Sequence, residues 1–203
     1  MSKSSSRWLD AHRKDKYVKQ AHQSGYRSRA VYKLAQIDER DRLFRPHMRV
    51  IDLGAAPGGW SQWVVQKYAS QVQVLAVDIL PMQTLPGVTF IQGDFREPAI
   101  LEKLSAHFGE QRVNLVMSDM APNLSGEKAV DQPRSMLLAH LAKELTLKVL
   151  APGGHFLVKV FQGEGLDEYF KDIQLHFRQV VLRKPDASQS QSNEMYIVAK
   201  GYK

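Results

Sequence analysis

Acids recur in this chain where apolar runs end, and the first of those runs opens into a glycine-rich turn. In Val50-Ile51-Asp52-Leu53-Gly54-Ala55-Ala56-Pro57-Gly58-Gly59-Trp60 an apolar segment stops in small residues, and Ser61 to Tyr68 then reads as helix. Glycines let a backbone approach a ligand closely, and a helix N-terminus offers unpaired N–H groups. The spacing is not G-x-G-x-x-G, so the dinucleotide fingerprint is absent, and the rigid Pro57 suits a ligand without a pyrophosphate. Asp78 closes a second run, Gln73 to Asp78, about 20 residues on, the usual place for a carboxylate that accepts from ribose hydroxyls. Asp94 follows a third run, Val88 to Phe95, where it is placed to meet the exocyclic amine of an adenine. Either aspartate alone could equally cap a turn. Three polar strand ends in succession predict an adenosine-type site.

The second half adds two residues that need explaining. Lys159 lies inside Phe156-Leu157-Val158-Lys159-Val160-Phe161, and period-2 alternation puts Leu157 and Phe161 on its face. A lysine among apolar neighbours is costly unless it is paired, although an edge strand would let it reach water. Asp119 ends the run Val113 to Asp119, and ligands of open α/β sheets sit beyond carboxyl strand ends. Consecutive strands tend to be neighbours, so a Lys159–Asp119 pair beside the ligand is predicted.

The elements that would hold these residues alternate. Strands are expected at Val50, Gln73, Val88, Val113 and His155 to Phe161. Helices are expected at Arg27 to Arg40, Ser61 to Tyr68 and Pro133 to Leu150. Val180 to Leu182 and Met195 to Ala199 read as a terminal hairpin, joined by a polar and mobile loop, Lys184 to Asn193. Residues 1–25 read as helix and loop laid on the surface. This is an α/β chain with a mostly parallel sheet that a closing antiparallel hairpin makes mixed.

Length and charge narrow the partners. The 203 residues fit one domain, with no repeat, no apolar run long enough to span a bilayer and no signal-peptide h-region. With no cysteine and seven scattered histidines, no metal is expected, and the chain suits the cytoplasm. The net charge of +7 is uneven. Residues 1–49 hold 13 Lys/Arg against 5 Asp/Glu, while the rest hold 15 against 16. Cations interleaved with Trp8, Tyr17, Tyr26 and Tyr32 suit RNA, with Arg27 and Arg29 as candidate phosphate ligands, although a solvated tail would carry the same charge. A nicotinamide oxidoreductase and a non-catalytic RNA-binding factor stay open on these grounds. The first lacks its phosphate fingerprint, and the second gives no reason for Lys159.

Three blocks carry a resemblance. Asp52-Leu-Gly-Ala-Ala-Pro-Gly-Gly-Trp60, Met117-Ser-Asp-Met-Ala-Pro-Asn123 and Val158-Lys-Val-Phe-Gln-Gly-Glu164 resemble the blocks of the FtsJ-type ribosomal RNA 2′-O-ribose methyltransferases. The similarity runs from Ser5 to Ala199. It implies a class I, Rossmann-like methyltransferase with a seven-stranded sheet that binds S-adenosyl-L-methionine. It also implies a catalytic tetrad of Lys33, Asp119, Lys159 and Glu194, and cofactor contacts at Gly58, Trp60, Asp78, Asp94 and Asp119. The implied substrate is a uridine ribose of 23S ribosomal RNA within the large ribosomal subunit, with transfer RNA as the alternative. The implied enzyme is a monomer. Lys33 and Glu194 enter only through this resemblance, since each otherwise reads as a solvated charge.

Overall fold

Strands and helices alternate from Met48 onward, except that the strand Val72–Asp78 leads directly to Val88–Gln92 and Phe177–Arg183 to Glu194–Tyr202. The computed structural model describes residues 15–109, 111–189 and 191–203, the side chain of Ser70 excepted. The candidate RNA contacts Arg7, Trp8, Arg13 and Lys14 lie outside the described residues. In chain order the elements are α1 (Lys16–Gln23), α2 (Val31–Asp41), β1 (Met48–Leu53), α3 (Gly59–Tyr68), β2 (Val72–Asp78), β3 (Val88–Gln92) and α4 (Pro98–Phe108). They continue as β4 (Val113–Ser118), α5 (Lys128–Val149), β5 (Leu150–Phe161), α6 (Leu166–His176), β6 (Phe177–Arg183) and β7 (Glu194–Tyr202).

The seven strands form one sheet in the order β3-β2-β1-β4-β5-β7-β6. Strands β1 to β5 pair in parallel, and β7 runs antiparallel to both β5 and β6. Alternation of side chains sends Ile51, Leu53, Val116 and Val158 to one face, against α4, α5 and α6. Val50, Met117, Leu157 and Tyr196 go to the other face, against α2 and α3. A sheet covered on both faces buries nearly continuous apolar runs, which is why β1, β2 and β4 read as such in the sequence.

Several expected boundaries move. The helix expected from Arg27 begins at Val31, because the Ser28 hydroxyl accepts from the Ala30 N–H (3.1 Å) and the Arg27 N–H donates to Gln62 Oε1 (2.9 Å). Side-chain bonds of this kind compete with a first helical turn. The helix expected from Pro133 begins earlier, at Lys128, and carries Pro133 inside its second turn, at the cost of the one backbone bond that its missing N–H would have made. Strand β5 begins at Leu150 rather than His155, absorbing Pro152-Gly153-Gly154 through a register irregularity against β4. Helices α4 and α6 add to the expected elements. The loop before β7 is not mobile but anchored. Ala187 and Ser188 are buried, the Ala187 N–H donates to Gln36 Oε1 (3.0 Å), and Arg29 donates to the Ala187 carbonyl.

Candidate active site

The tetrad forms because one face of the sheet brings four distant segments together. Lys159 points from β5 to the α2 face, between neighbours β4 and β7, so the edge-strand alternative is excluded. Its Nζ lies 3.1 Å from Asp119 Oδ1, donates to the Asp119 carbonyl at 2.7 Å and lies 3.8 Å from Glu194 Oε2. Asp119 follows β4 at its carboxyl end, as predicted. Glu194 opens β7, and in the β5–β7 register it stands opposite Phe161, one strand repeat from Lys159. From α2, Lys33 Nζ reaches Glu194 Oε1 at 2.6 Å. Two lysines and two carboxylates thus interlock with balanced charge. The Lys159 side chain is 8% exposed, so the pairing is what makes its burial tolerable.

Two further residues complete the network. The Tyr196 hydroxyl donates to Asp119 Oδ1 (2.7 Å), and the Ser188 hydroxyl donates to Glu194 Oε1 (2.9 Å). Sequence reasoning missed both. Alternation along β7 does put Tyr196 on the face of Glu194, opposite Lys159, and that signal was available. Nothing local singled out Ser188 in its polar loop. Burial, with Asp119 and Glu194 nearby, pushes the Tyr196 phenol well above its usual range, so it stays a donor. Burial alone would raise the Asp119 carboxyl. The charges of Lys159 and Lys33 and the Tyr196 and Lys159 hydrogen bonds outweigh it and hold Asp119 below the usual carboxylate range.

Beside Asp119 opens a cavity of about 530 Å³ at the carboxyl ends of β1 to β4. Gly54, Asp78, Asp94 and Asp119 line it, with Ile79, Leu80 and Leu137 at its edge. These three side chains are 65%, 58% and 55% exposed, an apolar rim suited to a flat heteroaromatic ring. Gly54 has φ +70°, and a Cβ there would lie 2.4 Å from Met120 Cγ, so the turn must be glycine to keep this cradle. Asp78 already accepts from the N–H groups of Ala56 and Leu80, both at 2.8 Å, and its remaining lone pairs are free for a ribose. Asp94 is paired with Arg96, whose Nε donates to it at 2.8 Å, and that pairing lowers its carboxyl. Shape and donor set therefore fit an adenosine cofactor, and a ring placed there would meet Asp94 already paired with Arg96.

Other predicted residues fall differently. Gly58 caps α3 at φ +103° and packs on Arg27 and Met82, outside this cavity. The Trp60 indole is buried and donates to the Ala30 carbonyl (2.8 Å). Trp60 borders only a small cavity of about 70 Å³, between the glycine turn and Asp119. Asp52 also lines that space, accepts from the Ser61 hydroxyl (2.7 Å), and is raised by burial to about 7. The arginines expected on phosphates make several bonds within the fold. Arg27 donates to the carbonyls of Gln83 (2.7 Å), Thr84 (2.8 Å) and Pro57 (3.3 Å), and Arg29 pairs with Asp15 at 2.8 Å. A guanidinium whose donors are spent on carbonyls has few left for RNA. Among the described residues no cluster of acids and histidines suits a metal, and no helix is long and apolar enough to cross a membrane.

Comparison with known proteins agrees with this geometry. The model of the FtsJ-like methyltransferase family matches residues 26–202. The "Ribosomal RNA large subunit methyltransferase E" of Cellvibrio japonicus (strain Ueda107) is 54% identical over 201 residues, covering 99% of this chain and 95% of that one. A crystal structure of a Plasmodium falciparum protein described as a ribosomal RNA methyltransferase superposes with a TM-score of 0.80 at 25% identity, over 87% of this chain and 98% of that one. Human methyltransferase-like protein 13 shares the fold, with a TM-score of 0.58 at 14% identity over 85% of this chain and 80% of that one. With a match that spans the glycine turn, the cavity beside it and all four tetrad positions, this chain belongs to the FtsJ-like methyltransferase family.

Proposed function

We propose that this protein transfers a methyl group from S-adenosylmethionine to the 2′-oxygen of a uridine ribose in 23S ribosomal RNA, acting as a cytoplasmic monomer on the large ribosomal subunit. The observation that carries the reading is the neutral, buried Lys33–Glu194–Lys159–Asp119 network at the mouth of an adenosine-shaped cavity. The name of the 54% identical relative supports the large-subunit RNA as substrate.

The cofactor supplies an electrophilic methyl on a sulfonium. The residues must hold the ribose oxygen on the sulfur–methyl axis and receive its proton. Fixing both partners in such a near-attack geometry can supply several kcal/mol of the barrier, roughly 7–11 in the best intramolecular cases. Lys159 Nζ orients the hydroxyl and, once it has shed its own proton to solvent, accepts the hydroxyl proton, while Asp119 and Glu194 stabilise the ammonium that results. Asp119 is held by the Tyr196 hydroxyl and by Lys159, so its negative charge also faces the cationic end of the cofactor. Lys33 fixes Glu194 and presents a cation to the ribose.

The test is to incubate the purified protein and isotope-labelled S-adenosylmethionine with large subunits, free 23S RNA and transfer RNA, and to map the label. Label at one alkali-resistant ribose linkage of 23S RNA is the expected result. Label on transfer RNA, or on a base, would overturn the reading.

A further inference from the structure

A second cavity, of about 540 Å³, lies apart from the cofactor cavity, with Ser192 and Asn193, which precede Glu194, in its wall. The segment after β4 divides the two, with Asp119 to Asn123 lining the first and Leu124 the second. Its other walls are the start of α5 (Lys128, Ala129, Gln132) and the exit of β5 (Phe161 to Glu164), with Asn193 beside Glu194. The cavity adjoins the tetrad through the backbone: Phe161 stands opposite Glu194, and the Gln162 N–H donates to the Asn193 carbonyl at 2.8 Å.

The walls are braced. Gln132 Nε2 donates to the carbonyls of Glu164 (2.8 Å) and Phe161 (3.3 Å), which ties α5 to the β5 exit. Asp131 accepts from the N–H groups of Ser125 (2.8 Å) and Gly126 (2.9 Å), which fixes the facing loop. A Cβ at Gly163 would lie 2.7 Å from Gln132 Cδ, so a side chain there would push the Gln132 carboxamide off its two carbonyls.

We infer that this second cavity receives the base of the nucleotide being methylated, turned out of its RNA stack. The inference rests on the proposed ribose methylation. A nucleobase is joined to its 2′-oxygen through only two ring carbons, so once the oxygen meets Lys159 the base must lie against the tetrad. The cofactor fills one side, and packed core closes the sheet beneath. Among the described residues the second cavity has room for such a ring beside Glu194, whereas the small cavity that borders Asp119 holds only about 70 Å³. Enzymes that work on a nucleotide commonly extrude it and read its exposed edge, and unstacked bases are where RNA is read specifically. Phe161 offers an aromatic wall, and the exposed Gln162 and Asn193 bring carboxamides whose donor and acceptor match the N3–H and carbonyl edge of uracil. Lys128 adds a cation at the rim for the attached phosphate.

Ala129 is exposed on the first turn of α5 and faces this space without touching the tetrad, so it can be enlarged in steps. Ala129→Ser, Ala129→Val and Ala129→Trp would be assayed on large subunits from cells lacking the protein, with cofactor affinity measured by calorimetry. The expected result is a graded loss of kcat/KM for RNA, near none for serine and at least a hundredfold for tryptophan, at unchanged cofactor affinity. Asn193→Ala and Gln162→Ala should each lose about tenfold. If the wild type methylates the subunit and Ala129→Trp matches it, the base lies elsewhere and this inference falls. If the wild type transfers no methyl to that RNA, the functional reading itself fails.

Discussion

Replacing Asp52 by asparagine should make the protein more stable above neutral pH and change little in acid. Asp52 is 1% exposed at the end of β1, and burial, together with Asp119 and Asp78, outweighs the Ser61 hydrogen bond. Its carboxyl is raised from 3.8 to about 7. Below pH 3.8 the folded and unfolded chains both carry the proton, and the group contributes nothing. Between 3.8 and about 7 only the folded state retains it, so stability falls as pH rises and the full penalty is present above 7. A shift of about 3 units at ~1.4 kcal/mol each sets a ceiling of about 4 kcal/mol. Asparagine has the same shape, carries no charge at any pH, and can still meet the Ser61 hydroxyl. Urea unfolding of both proteins from pH 4 to pH 8 reads the difference directly. The variant should draw ahead steadily across that range. A gap that stays constant with pH would refute the reasoning, because Asp52 would then ionise at its ordinary value.

Three other outcomes follow from the site. Lys159→Ala should abolish methyl transfer while cofactor affinity stays within about twofold by calorimetry, since the lysine meets the ribose rather than the adenosine; near-normal turnover would remove it from the mechanism. Asp78→Ala should weaken cofactor binding by roughly 1–3 kcal/mol, because it also leaves the Ala56 and Leu80 N–H groups unpaired, and unchanged affinity would reduce Asp78 to a turn cap. Arg27→Ala should loosen the turn at Pro57 and the Gln83–Thr84 segment and weaken cofactor binding, with the salt dependence of RNA binding unchanged. A log–log salt slope reduced by about one unit would instead restore Arg27 as a phosphate contact.

The parallel half of the sheet was legible because both its faces are buried, which writes β1, β2 and β4 as apolar runs. Asp119 and Lys159 could be paired from strand order alone. Lys33 and Glu194 could not, because each meets its partner only through tertiary packing, 161 positions apart in the chain. Charge does not show that Arg27 and Arg29 also serve the fold. A guanidinium near the glycine turn reads as a phosphate ligand in sequence, yet local carbonyls claim its donors in the fold. The loop before β7 misled for a related reason. Serines and glutamines suggest solvent, but Ala187 and Ser188 sit under α2 and beside Glu194.

Strand β7, which opens with Glu194, is not an edge of the sheet. β7 slots between β5 and β6 and carries both Glu194 and Tyr196 into the network begun by Lys33 on α2. A chain stopped short of residue 194 has every wall of the cofactor cavity and neither of these groups. Such a fragment could hold the methyl donor but would lack the anion that Lys33 and Lys159 share. In this architecture the methyl-donor cavity and the charge network beside it are therefore built from separable lengths of chain, one complete by residue 141 and the other joined only through β7.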